Sequence, residues 1–226
     1  MDLNTFRTRF AALKSRGFVK SARRGNTGVG HTLETHLGLT ENNIALSDLE
    51  VAELKAHREG SDSLITLFTS DKGAWVVKQL DAIRKFGIEG DGGRRNLYVT
   101  LFAGRGATDL ALEVDDELAV IRHRSGTVVA KWTHSDLADV FSKKFPALML
   151  VTASVEQRSD GEWFHYHSAR LLRGTSSEHL QRGMSEGRIA IDLRLHDKGG
   201  SVRNHGTGFR IAESQLAHLF EESLDI

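Results

Sequence analysis

Asp48-Leu49-Glu50-Val51-Ala52-Glu53-Leu54-Lys55 is the stretch on which the reading of the fold turns. Residues 50–57 alternate in the manner of a strand, so Glu53 and Lys55 share one face while Leu54 points the other way, into a core. Asp48 stands just ahead of that strand, within reach of the same face. Two carboxylates and an intervening backbone carbonyl, that of Leu54, are hard oxygen donors suited to Mg²⁺. The lysine adds a cation where a phosphate oxygen and an attacking water would meet. A metal that lowers the pKa of water and offsets charge at phosphorus, with an orienting group beside it, is the minimum equipment for phosphodiester hydrolysis. Taken alone, D-x-x-x-x-E-x-K is also the pattern of a charged, solvated strand.

Working outward, an amphipathic helix is predicted over residues 4–15, with Phe6, Phe10 and Leu13 on one stripe. A second helix is predicted over residues 29–37, which Gly38 ends. Glu34 lies on it, turned toward the acidic cluster or solvated. A turn at 59–62 leads to a strand over 64–69, and the spacing of Val77, Leu80 and Ile83 predicts a helix over 74–86. A glycine-rich turn over 89–95 opens a strand over 96–103, and two or three strands follow between 109 and 132. Thr133 with Asp136, and Thr175 with Glu178, resemble capping boxes, the first opening a helix that reaches Phe145. Strands over 148–155 and 163–172 are joined by a turn at 158–161. Strands over 188–196 and 209–211 and a closing helix over 214–221 complete the pattern. The mixture indicates an α/β or α+β fold with a mixed sheet.

The second distinctive stretch carries Asp192, Arg194 and His196 on a strand, then Arg203-Asn204-His205-Gly206-Thr207-Gly208-Phe209-Arg210. Arginine pairs bidentately with guanine O6 and N7, asparagine offers a donor and an acceptor, and histidine donates to N7 or O6. Glycines let a backbone approach bases or phosphates closely. A structural loop is the alternative, although polar groups crowd where a core strand would carry apolar ones.

The chain of 226 residues has no formal net charge, but the charge is unevenly distributed. Residues 1–31 carry +6, residues 32–62 carry −5 and residues 182–210 carry +3. An acidic segment between basic ones fits a metal centre flanked by phosphate-contacting arms, and equally a mosaic of solvated faces. With no cysteine, disulfides and thiolate metal sites are excluded. No apolar run approaches the roughly 20 residues that span a bilayer, and the polar N-terminus is not a signal peptide, so a cytoplasmic protein is expected. No phosphate-binding G-x-x-x-x-G-K-[ST] occurs, and Gly104-Arg-Gly106 lacks a dinucleotide-loop setting, so no nucleotide cofactor is expected. His165 and His167 share a strand face, which suits a surface or DNA-facing strand better than a metal site without a third ligand. His57 lines the same face as Lys55 or is solvated.

A helix with a glutamate, a short loop, an aspartate, then Glu-Leu-Lys on a strand resembles the active-site region of the MutH-like branch of the PD-(D/E)XK nucleases. The run from Arg203 to Arg210 looks like the recognition segment of the MvaI/BcnI restriction endonucleases, a MutH-like family. The resemblance extends from about Arg16 to the last helix. It implies a PD-(D/E)XK fold of the α/β (α+β) class, a mixed central sheet flanked by helices, and two lobes around a DNA cleft. One endonuclease domain would occupy residues 1–226, with a catalytic lobe over 1–150 and a recognition lobe over 151–226. By the same resemblance Asp48, Glu53 and the Leu54 carbonyl hold Mg²⁺, Lys55 is the catalytic lysine and Glu34 an accessory carboxylate. Arg194, His196, Arg203, Asn204, His205 and Arg210 would face the bases. The implied activity is that of a type II site-specific deoxyribonuclease on double-stranded DNA. The enzyme would be a monomer that nicks each strand in turn, leaves 5′-phosphates and has a cognate methyltransferase as its companion. Two other activities fit the same residues: a MutH-like repair nickase activated by a partner, and a DNA-binding module whose nuclease site is idle.

Overall fold

The computed structural model describes residues 1–39, 43–45, 51–90, 93–105 and 108–226. Along the chain, helix α1 (Leu3–Ser15), strand β1 (Val19–Lys20), helix α2 (Gly28–Leu37) and strands β2 (Asn43–Ala45) and β3 (Val51–Arg58) come first. They are followed by β4 (Leu64–Thr69), α3 (Gln79–Phe86), β5 (Ile88–Glu89), β6 (Arg95–Leu101), β7 (Leu110–Val114), β8 (Leu118–His123) and β9 (Val128–Thr133). Helix α4 (His134–Lys144), the long hairpin of β10 (Ala147–Arg158) and β11 (Gly161–Arg173), and α5 (Ser177–Ser185) come next. The last part holds β12 (Ile189–Asp197), β13 (Val202–Asn204), β14 (Gly208–Ala212), a 3₁₀ helix (Glu213–Leu219) and β15 (Glu222–Asp225).

These elements form two compact units, neither of them continuous in sequence. The first comprises Met1–Asp62, Phe145–Gly174 and Phe220–Ile226; the second comprises Ser63–Lys144 and Thr175–Leu219. The lobe boundary expected at residue 150 falls inside β10, which belongs wholly to the first unit.

In the first unit one sheet has the order β1-β11-β10-β3-β2, with β15 also paired to β11. β10 runs parallel to β3, and the other pairings are antiparallel, the mixed sheet that the sequence predicts. Helix α1 begins where Asp2 accepts hydrogen bonds from Thr5 N (2.9 Å) and Thr5 Oγ1 (2.6 Å), relieving otherwise orphaned donors. Its Phe6, Phe10 and Leu13 join Val29, Leu33 and Leu37 of α2 in a core with Ala52 and Leu54 of β3. Helix α2 ends at Gly38, whose φ of 64° is left-handed and open to glycine at little cost. From β11, Tyr166 reaches under α2 and donates its hydroxyl hydrogen to Val29 O at 2.7 Å.

The second unit has one sheet in the order β4-β14-β12-β6-β5, with β13 paired to β12, and a meander in the order β7-β8-β9. Phe68 and Phe209 stack at 4.8 Å, with Trp132 edge-on to Phe209 and Phe141 of α4 tilted against Phe68. At Thr133 half of the expected capping box forms: Thr133 Oγ1 accepts from Asp136 N (3.1 Å) and donates to the Asp136 carboxylate (2.6 Å).

Three predicted elements change. The helix expected over 74–86 begins only at Gln79, because residues before it are drawn into pairing with β9: Val76 N and Val77 N both donate to Val129 O, and Lys131 N donates to Ala74 O. Ser176 rather than Thr175 caps α5, accepting from His179 N. The closing helix over 214–221 is a 3₁₀ helix that stops at Leu219 and gives way to β15, an edge partner of β11.

Candidate functional site

On β3 the burial alternates as the sequence requires: Ala52 and Leu54 enter the core while Glu53 and Lys55 occupy the opposite face. Lys55 Nζ lies 2.6 Å from Glu53 Oε1, the side chains being 30% and 28% exposed. The ammonium also sits 5.4 Å from the Phe145 ring centroid, a cation–π contact that fixes its stem. Glu53 Oε2 has no hydrogen-bond partner among the described residues. Asp48 lies outside the described residues. Among those described, no three His, Cys, Asp or Glu side chains gather into a metal-holding group. Glu34 is half-buried on α2 and makes no ion pair with Lys55 and no hydrogen bond to it among the described residues.

His57, two residues beyond Lys55 on the same face, is 6% exposed rather than solvated. Its Nε2 bonds to Thr152 Oγ1 at 2.8 Å, and its Nδ1 is buried without a hydrogen bond. Burial pushes the imidazole pKa down; the positive charges of Arg170 and His167 act in the same direction. His165 and His167 go to different partners, Lys14 O (3.3 Å) and Glu59 (3.4 Å).

The second unit carries a polar sheet face. Register places Thr100 opposite Asp192, Tyr98 opposite Arg194, Asn96 opposite His196, and Arg203 opposite His196 on the other side. Asp192, only 5% exposed, accepts hydrogen bonds from Thr100 Oγ1 (2.7 Å), Arg194 Nε (2.8 Å) and Arg210 Nη1 (3.2 Å). Arg210 Nη2 donates to Leu64 O at 2.7 Å. A pocket of about 280 Å³ is lined by Thr66, Asp192, Arg194, His205, Gly208 and Arg210, among others. His196 Nδ1 lies 2.9 Å from the Tyr98 hydroxyl. Its pKa is lowered, first by burial and then by Arg203 and His205. Asn204 is spent inside the loop, where its Oδ1 accepts from Gly206 N at 2.7 Å. Asp71 holds the same loop through Thr207 N (3.0 Å) and Thr207 Oγ1 (2.7 Å). Burial works to raise the Asp71 pKa, but these bonds and that from Trp75 hold it below the usual range.

A family model described as the MvaI/BcnI restriction endonuclease family matches residues 7–220. The chain belongs to that family. Membership makes it a type II site-specific deoxyribonuclease, as the two sequence stretches suggested. No curated protein sequence matches the chain. Among solved structures, it is similar to the restriction endonuclease MvaI in complex with its cognate DNA substrate, with a TM-score of 0.69 and 23% identity over 99% of this chain and 97% of that one. MvaI in the absence of DNA gives a TM-score of 0.63 and 21% identity over the same shares, 99% and 97%. These likenesses carry the PD-(D/E)XK-type fold.

Within this MvaI/BcnI-family chain, the structure gathers the expected residues into two groups. Glu53 and Lys55 meet on β3, and Arg194, His196, Arg203 and Arg210 stand on one face of the second sheet, with His205 at its pocket. Tyr98, 47% exposed on that face, and Thr100 join it without being among the residues expected from sequence. Both were signalled by the alternation of Asn96-Leu97-Tyr98-Val99-Thr100-Leu101, in which every second residue is polar or aromatic-polar. Asp192 is visible in the sequence as a residue but not as a hub, because two of its three partners come from β6 and β14.

Proposed function

We propose that this restriction enzyme cleaves double-stranded DNA with Mg²⁺ at the β3 face, as a monomer that nicks one strand and then the other. The reading rests on one observation above others: Glu53 and Lys55 are paired at 2.6 Å on a strand face in a member of a nuclease family. Restriction endonucleases of this kind generally use a divalent metal. The donor set fits one: Glu53 has a carboxylate oxygen unpaired among the described residues, Leu54 adds a carbonyl, and both are hard donors of the sort Mg²⁺ takes. Asp48 would complete the set, with Glu34 as accessory carboxylate. When bound, the metal supplies an acidified water and neutralises charge at phosphorus. Lys55 stabilises the developing negative charge on the phosphate and orients the nucleophile, from a position that Glu53 and Phe145 fix in advance. The Arg194, His196, Arg203, Asn204, His205 and Arg210 region would set the sequence recognised, and the products would carry 5′-phosphates. A companion methyltransferase would protect the host sites.

The test is supercoiled plasmid incubated with the protein in Mg²⁺ or EDTA, alongside Glu53→Ala. Open circles followed by discrete linear fragments are expected only with Mg²⁺ and intact Glu53, the variant losing about 10²–10³ in rate or more. Fragment ends then give the recognised sequence. Binding without cleavage by the wild-type protein in Mg²⁺ would leave a nickase that needs a partner to activate it, or an idle DNA-binding module, instead.

A further inference from the structure

A carboxylate as buried as that of Asp192 is costly unless its charge is matched, and here two guanidinium groups match it and a hydroxyl donates a third hydrogen bond. The two arginines it holds are not equivalent. Arg210 gives Nη1 to Asp192 and Nη2 to Leu64 O, and its Nε is buried without a partner, so both of its terminal nitrogens are engaged within the fold. Arg194 gives only Nε; its side chain is 49% exposed, and Nη1 and Nη2 make no hydrogen bond to the described residues. Those two terminal nitrogens form the edge of the guanidinium fork that matches paired acceptors such as guanine O6 and N7.

We propose that Asp192 is a positioning residue for recognition. It grips Arg194 by Nε and is braced by Arg210 and Thr100, so that Arg194 presents both terminal nitrogens to the O6 and N7 edge of one guanine. The inference rests on the reading that this sheet face meets DNA bases. It divides the arginines by work: Arg194 reads, Arg210 supports. Holding the fork before DNA arrives removes conformational freedom that binding would otherwise have to remove, which sharpens discrimination rather than attraction to any duplex.

The experiment is competition binding in EDTA on duplexes carrying the cleaved sequence, with each guanine in turn replaced by 7-deazaguanine. The wild-type protein is expected to lose at least about fivefold in affinity at one guanine. In Arg194→Ala and in Asp192→Asn that single penalty is expected to vanish. A penalty that disappears in Arg194→Ala but persists in Asp192→Asn overturns the positioning role and leaves the recognition face standing. No guanine-specific penalty assignable to Arg194 overturns the inference together with the base-contact reading, while Mg²⁺-dependent cleavage would still stand. If Asp192→Asn does not fold, judged by its thermal melt, Thr100→Val removes one brace and keeps the charge. Its penalty is expected to fall to about half the wild-type value or less, and an unchanged penalty overturns the proposal.

Discussion

At the scale of single residues, two histidines are constrained in different ways. His57 is buried with one unpaired nitrogen, and its pKa is depressed below the ordinary 6.5. A group with a lowered folded pKa adds stability that is complete above its unfolded pKa and is lost as pH falls through the folded value. The melting temperature is therefore expected to drop as pH falls below about 6.5, and His57→Gln should flatten part of that acid limb. An acid limb identical in the variant would refute the assignment. His196 is exposed to a different constraint. The Tyr98 hydroxyl engages Nδ1 at 2.9 Å and fixes the orientation of the ring, so Nε2 is the nitrogen left to face whatever His196 meets. Tyr98→Phe should lower the ratio of kcat/KM on the recognised site to that on singly altered sites by roughly 2–10-fold, the worth of one hydrogen bond. An unaltered ratio would remove Tyr98 from recognition.

Elements were legible in the sequence where one periodicity governed them and illegible where distant backbone competed. β3 could be read because alternation alone sorts Ala52 and Leu54 from Glu53 and Lys55, whatever the partners are. Residues 74–78 were misread because their apolar spacing is helical, while Val129 and Lys131 some fifty residues away claim their backbone groups. The Asp192 hub failed for the same reason: only the register of β12 against β6 and β14 reveals which side chains meet. The recognition loop belongs between these cases. Its glycines were visible, but the reason for one of them is structural: Gly206 has φ of 89°, and a Cβ there would lie 3.0 Å from Thr69 Cβ and Cγ2. Gly206→Ala is thus expected to cost about 1–2 kcal/mol in chemical denaturation and to weaken specific DNA binding, since His205 moves with the loop. Wild-type stability and affinity together would show that the turn adapts freely.

At the scale of the whole molecule, the resemblance suggested lobes over 1–150 and 151–226, whereas the compact units interleave three segments with two. Contacts within the first unit explain why no cut at residue 150 separates independent parts. β10 pairs with β3 through residues 147–153 and with β11 along its whole length, so residue 150 is central to the sheet and not a linker. Phe164, Tyr166, Ala169 and Leu171 of β11 lie in the same core as α1 and α2. Losing two buried aromatics alone costs roughly 6–10 kcal/mol at 3–5 each, against a typical total stability of 5–15; losing the rest of β11 as well exceeds it. A fragment of residues 1–150 is accordingly expected to show the far-ultraviolet circular dichroism of an unfolded chain and no cooperative melt, while the full chain melts cooperatively. A cooperative transition in the fragment would mean that β11 and β15 merely decorate the sheet, and that Tyr166 is not needed to hold the N-terminal end of α2 in place.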